Sequence, residues 1–178
     1  YKLNRFNWHL VDGGGWRFPS EKYPLLTKKA AFRTESDWDK WWQKDRRFVD
    51  EGTPGAYGGY YTKEEIQRVV RHADRLGITV IPEIELPGHS NEIFSAYPEL
   101  SCLDGWAFEN SDVCIGNEKT FTFFEAILDE VMALFPSKYI HIGGDEATMR
   151  HWSDCPKCTE RKRVEGLKDD HELQSYMI

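Results

Sequence analysis

Tyr139-Ile140-His141-Ile142-Gly143-Gly144-Asp145-Glu146 is an apolar, β-type run that breaks into two glycines and two adjacent carboxylates. By itself such a pair reads as a solvated turn or a helix cap as readily as an acid/base site. Two further stretches repeat the pattern. Phe6-Asn7-Trp8-His9-Leu10-Val11-Asp12 runs into Gly13-Gly14-Gly15-Trp16, and Ile78-Thr79-Val80-Ile81-Pro82-Glu83-Ile84-Glu85 runs into Leu86-Pro87-Gly88-His89. None shows the clean alternation of a half-exposed strand, which predicts strands buried on both faces over residues 4–11, 78–83 and 138–143. Three strand ends thus bring carboxylate and histidine to one rim. In parallel α/β folds, and in barrels above all, the C-terminal rim is where the active site forms.

Helical signals separate these strands. Thr62 with Glu65 forms a capping box, Ile66, Val69, Val70 and Ala73 make one apolar stripe, and Gly77 supplies the stop. A second helix is predicted from Lys119 to Leu134, ended by Pro136. The long connection from Pro19 to Tyr61 is expected to hold a short helix between Ser36 and Phe48, whose Trp38, Trp41 and Trp42 pack the loop onto the barrel rather than stack on sugar. Strand, helix, strand, helix, strand argues for parallel strands joined by right-handed crossovers. A barrel of eight such units takes about 250 residues, and this chain has 178, so the expectation is one partial barrel domain spanning 1–178.

Net charge is −7 with scattered basic residues, apart from Arg161-Lys162-Arg163, which leaves no electrostatic footprint for nucleic acid. No apolar stretch approaches bilayer length. The composition suits a neutral or polar small substrate. Four cysteines fall into two local pairs, Cys102 with Cys114 and Cys155 with Cys158. A Cys102–Cys114 disulfide would close a short loop and implies an oxidising, extracytoplasmic setting. Cys155-Pro156-Lys157-Cys158 has half-zinc spacing, but it reads as part of a polar loop and no second CxxC completes four ligands. A second disulfide or two structural thiols are expected there ahead of a metal.

His9-Leu10-Val11-Asp12 with Gly15-Trp16-Arg17, Gly58-Gly59-Tyr60-Tyr61-Thr62, Pro82 through His89 and His141 through Glu146 stand in the order found in glycoside hydrolase family 20, the β-N-acetylhexosaminidases. The chain resembles that family over nearly its whole length, and its bacterial members around Cys102, Cys114 and the late Cys-Pro-Lys-Cys. The resemblance implies a (β/α)8 TIM barrel, of which the second to fourth βα units are present here. It implies exo-acting hydrolysis of terminal N-acetylglucosamine or N-acetylgalactosamine from glycans, with retention, the substrate's own acetamido oxygen attacking to give an oxazolinium ion. By the family pattern Glu146 is the general acid and later the base, Asp145 orients the acetamido group, and Asp12 and His89 form a relay behind Glu146. No cofactor and no metal is implied. A metal-dependent hydrolase using His9, His89 and His141 lacks a compact ligand motif such as His-Glu-x-x-His. The chain departs from the family in Gly13 and Gly14, where a second acid and a glutamine are common, and in Glu85, where aspartate is common.

Overall fold

The computed structural model describes residues 2–103 and 110–178. Its centre is a parallel pair, β1 (Arg5–Asp12) and β5 (Thr79–Ile84), with the short β2 (Gly15–Trp16) folded back antiparallel on β1. Between them lie α1 (Leu25–Lys28), α2 (Trp38–Gln43), a small antiparallel pair of β3 (Phe32–Arg33) and β4 (Tyr57–Gly58), and α3 (Lys63–Arg75). After β5 come α4 (Asn91–Ala96), a 3-10 turn at Pro98–Leu100, α5 (Glu118–Leu134), α6 (Pro156–Glu165) and α7 (Asp170–Met177).

Local chemistry sets the long helices. Thr62 accepts from the Glu65 amide at 3.2 Å while Glu65 returns to the Thr62 amide at 2.8 Å, closing the capping box on α3. Asn117 caps α5 in the same sense, through the Lys119 amide at 3.2 Å. Ile66 on α3 and Phe123, Phe124, Ile127 and Val131 on α5 then bury against Leu10, Val80 and Ile84 of the sheet.

The third predicted strand is reduced to a single parallel bridge, Glu83 with His141. Backbone hydrogen bonds from His141 to Pro82, Ile84 to His141 and Leu86 to Ile142, at 2.9, 2.9 and 3.0 Å, still lay this segment beside β5. Among the described residues it pairs on that side only, and Gly143 and Gly144 leave the β region at φ +66° and +95°, so the ladder stops. The expectation of two buried faces holds for β5 from Pro82 onward, where Glu83 and Ile84 are both buried, and fails for β1 as far as His9, where Asn7 and His9 are exposed. Trp8, Leu10, Val80 and Ile84 pack in the hydrophobic core, whereas Asn7, His9, Glu83 and Glu85 share the opposite, polar face.

Three other expectations change. The helix expected between Ser36 and Phe48 spans only Trp38–Gln43, capped by Asp37; Trp41 is buried, while Trp38 and Trp42 stay 45% and 41% exposed. Cys155-Pro156-Lys157-Cys158 opens α6 rather than lying in a loop, because Pro156 suits the first helical turn and Gly166 ends the helix in the left-handed region. All four cysteines are free, and Cys102 Sγ lies 3.6 Å from Cys158 Sγ within a cluster of all four sulfurs. No disulfide joins Cys102 to Cys114 among the described residues. No helix among the described residues is long and apolar enough to cross a membrane.

Replacing the wholly buried Ile127 by Ala should destabilise the fold by about 2–5 kcal/mol, whereas Glu125→Ala, on the exposed face of the same helix, should change it by less than about 0.5 kcal/mol. Urea denaturation of the two variants side by side checks the assignment of that face; equal effects would contradict it.

Candidate active site

The polar face of the sheet collects its charged groups at the C-terminal end of the strands. Glu83, almost buried, accepts from the Asn7 side-chain amide and lies 3.0 Å from His141 Nδ1. Glu85 sits one pleat further on, 2% exposed, with His9 Nε2 at 3.6 Å from one oxygen and His89 Nδ1 at 3.7 Å from the other. His89 Nε2 is in turn 3.3 Å from Glu146 Oε2. Asp12 lies 3.5 Å from the same His9 nitrogen. The side chains thus form a line, Asp12, His9, Glu85, His89, Glu146. Asp145 joins it from the side, a carboxylate oxygen falling within 4.8 Å of Glu85 and His89 donor atoms.

Asp145, Glu146, His89 and Asp12, the four residues singled out in the sequence, therefore do meet at one rim, but not in the expected arrangement. His89 touches Glu146 directly. Asp12 makes no contact with His89 within 4.0 Å; it faces His9, and Glu85 stands between the two histidines. The bulge in the β1–β5 register between His9 and Val11 accompanies this change of direction at the end of β1. In the sequence His9 and His141 stand out only as ligands of a metal-dependent hydrolase, and Glu83 and Glu85 are not among the expected site residues, although the alternate spacing of Glu83 and Glu85 along β5 would have put them on one face.

Backbone conformation at the rim is as specific as its charge. A Cβ on Gly143 would fall 1.9 Å from Glu85 Oε2, so only glycine lets the chain turn over that carboxylate. His89 and Glu146 both take left-handed φ values, +49° and +51°, which side-chain-bearing residues seldom adopt outside constrained sites. The loop after Glu146 is held from outside: Asp112 accepts from the Thr148 hydroxyl at 2.6 Å and the Met149 amide at 2.7 Å, and Gln174 of α7 donates to the Gly144 carbonyl at 2.8 Å. The Glu146 side chain remains 79% exposed, open to a ligand.

Behind Asp12 lies Glu92, fully buried, with neither carboxylate oxygen hydrogen-bonded. Burial above all raises its pKa well above the ordinary carboxylate range, so it is held neutral. In front of Asp12 a groove of about 410 Å³ runs past Gly14 and Arg17 to Arg33 and Trp38. Two donor sets at the rim, His9 with Glu83 and Glu85 and His89 with Glu85 and Asp145, are of a kind a divalent cation accepts; here the same atoms face one another.

The model of the glycosyl hydrolase family 20 catalytic domain matches residues 1–178. The chain is 42% identical over 185 aligned positions to a β-hexosaminidase of Porphyromonas gingivalis, covering all of this chain and 22% of that protein. It is 38% identical over 192 positions to a β-hexosaminidase of Vibrio furnissii, covering 29% of it. Among solved structures it superposes on an exo-β-N-acetylglucosaminidase of Vibrio harveyi in complex with N-acetylglucosamine with a TM-score of 0.82 at 33% identity, spanning 99% of this chain and 28% of that one. A β-N-acetylhexosaminidase of Bacteroides fragilis gives 0.77 at 37% identity, with 99% and 32% covered. The chain thus spans 22% to 32% of the length of these relatives.

Burial first, then the hydrogen bond with Glu83 and the charge of Asp145, push the Glu85 carboxyl up from 4.5 to about 7, against the opposing pull of His89 and His9. Between those pH values the folded chain keeps a proton that the unfolded chain has released, so this group's contribution to stability is complete below pH 4.5 and is lost as pH rises through about 7. The melting temperature should fall across that window, and Glu85→Gln should remove that part of the fall. Parallel melting curves for the two proteins would rule out Glu85 as its source.

Proposed function

The chain belongs to glycosyl hydrolase family 20, and from that premise we propose that it carries the acid–base machinery of an exo-acting β-N-acetylhexosaminidase, within one part of a TIM-barrel domain. The substrates in this reading are glycans ending in β-linked N-acetylglucosamine or N-acetylgalactosamine. The observation that carries it is the placing of Glu146: exposed at a strand end, backed by His89 at 3.3 Å, and next in the chain to a second carboxylate.

That adjacency favours a substrate-assisted mechanism. An enzymic nucleophile in an ordinary retaining glycosidase stands about 5 Å from the acid carboxyl, across the sugar ring. Consecutive residues of one turn suit two tasks on one side of the substrate instead. Glu146 gives its proton to the departing glycosidic oxygen as the bond to the anomeric carbon breaks, and the substrate's acetamido oxygen closes on that carbon. Asp145 holds the acetamido nitrogen and stabilises the positive charge on the resulting oxazolinium ring. Glu146, now a carboxylate, takes a proton from the water that reopens the ring, and two inversions leave the configuration retained.

In this reading His89 orients and tunes Glu146 by direct contact, while Asp12 acts only through His9 and Glu85. His89→Ala in the full-length protein should therefore lower kcat and displace the pH–rate profile, and Asp12→Asn should do the same to a lesser degree. Equal effects, or unchanged profiles in both, would remove the relay from the mechanism.

Glu146→Gln should lower kcat by about 10²–10⁴-fold with little change in KM, measured by release of chromophore from an N-acetylglucosaminide. Asp145→Asn should be comparably impaired, and a glycoside with a 2-hydroxyl in place of the acetamide should be cleaved orders of magnitude more slowly. Near-wild-type turnover by Glu146→Gln would end the assignment of the acid; efficient cleavage of the 2-hydroxyl glycoside would end the substrate-assisted mechanism.

A further inference from the structure

Away from the rim, four sulfurs converge. Cys102 and Cys114 flank the antiparallel bridge of Ser101 with Val113, and Cys155 and Cys158 stand at the cap and in the first turn of α6. Their contacts are Cys102–Cys158 at 3.6 Å, Cys114–Cys155 at 3.7 Å and Cys114–Cys158 at 3.8 Å, and all four sulfurs lie within 4.8 Å of one another. A disulfide needs about 2.05 Å and joins sulfurs only in pairs. A tetrahedron with metal–sulfur bonds of about 2.3 Å has sulfur–sulfur edges of about 3.8 Å. The observed spacing matches the tetrahedron.

The surroundings are built for the cluster. Cys114 and Cys158 are fully buried and Cys155 nearly so, packed among Ile115, Trp152 and Leu173. The Gly116 amide donates to Cys158 Sγ at 3.3 Å, the kind of backbone contact that supports a metal-bound thiolate. A Cβ on Gly116 would lie 2.1 Å from the Lys157 carbonyl carbon, so the approach of that segment to the start of α6 depends on glycine.

We propose that Cys102, Cys114, Cys155 and Cys158 hold one structural zinc ion. Four sulfurs in tetrahedral array select zinc among the abundant divalent metals, and a closed set of four protein ligands leaves no position for substrate. Binding displaces the thiol protons to solvent and changes no oxidation state. The ion joins the two segments that support the loop after Glu146. Asp112, which receives Thr148 and Met149, lies two residues before Cys114, and Trp152, which donates to the Val113 carbonyl at 3.0 Å, lies three before Cys155. The site is independent of the proposed turnover, and its test does not require activity.

The full-length protein, purified without added metal and free of affinity tags, should contain one zinc per chain by elemental analysis. A mercurial titrated against the thiols should release it in step with their modification, and the melting temperature should fall as it leaves. Cys158→Ser and Cys155→Ser should each lose most of the metal. Should those variants not fold, wild-type protein produced in cobalt-supplemented medium should show the intense thiolate-to-cobalt and tetrahedral d–d absorption that such a site gives. Two disulfides in the native protein by intact mass, a folded metal-free protein with four reactive thiols, zinc retained by the serine variants, or iron in place of zinc would each overturn the proposal.

Discussion

Glu85 is the side chain on which the rim depends. Its carboxyl is buried at a place where water cannot solvate it, and the structure surrounds it with His9, His89, Glu83 and the bare backbone of Gly143. Burying a lone carboxylate is costly, and a raised pKa is the cheapest response. A Glu85 carboxyl that is partly neutral near pH 7 packs beneath the rim where a fixed charge could not. The geometry of the visible site follows. His89 is drawn back in a left-handed turn to reach Glu85 with one nitrogen, which aims its other nitrogen at Glu146. Gly143 must be glycine because the chain crosses directly over the carboxyl.

What could be read from the sequence was what local chemistry decides. The Thr62–Glu65 capping box, the apolar stripe on α3, the Asn117-capped α5 and the strand of Thr79–Ile84 are each specified by residues a few positions apart. The segment 138–143 was less legible because strand pairing is a long-range property: the run is β-like, yet it pairs with β5 on one side and its glycines bend it away. The polar face was hidden by a run of mixed residues that looked unpatterned until the bulge between His9 and Val11 was known. Motif order located Asp12, His89, Asp145 and Glu146 together, but no motif could say that His9 and Glu85 intervene.

The cysteines show the same limit from another side. Spacing paired each cysteine with its nearer neighbour in the chain, which is the right instinct for loop closure, where short loops are favoured. Folding pairs them across the chain instead, because the bridge at Ser101–Val113 and the first turn of α6 are brought together by Trp152 and Gly116, contacts that no window of the sequence contains. α6 itself was overlooked because its residues are almost all polar; only its ends, Pro156 and Gly166, carry the helical signal.

The charge balance of the rim follows from these placements. Asp12, Glu83, Glu85, Glu92, Asp145 and Glu146 gather within one region, opposed by His9, His89 and His141. Six ionised carboxyls so close together would repel one another strongly. Burial eases that repulsion selectively: Glu92 is held neutral and Glu85 is half-protonated near pH 7, whereas Asp145 is exposed. In the proposed mechanism Asp145 would stand beside the acetamido nitrogen, and a preorganised group of this kind stabilises a developing ion without reorganisation at the moment of reaction. The enclosed parts of the rim, Glu85 beneath and Asp112 behind, thus hold in place the open ones, Asp145 and Glu146.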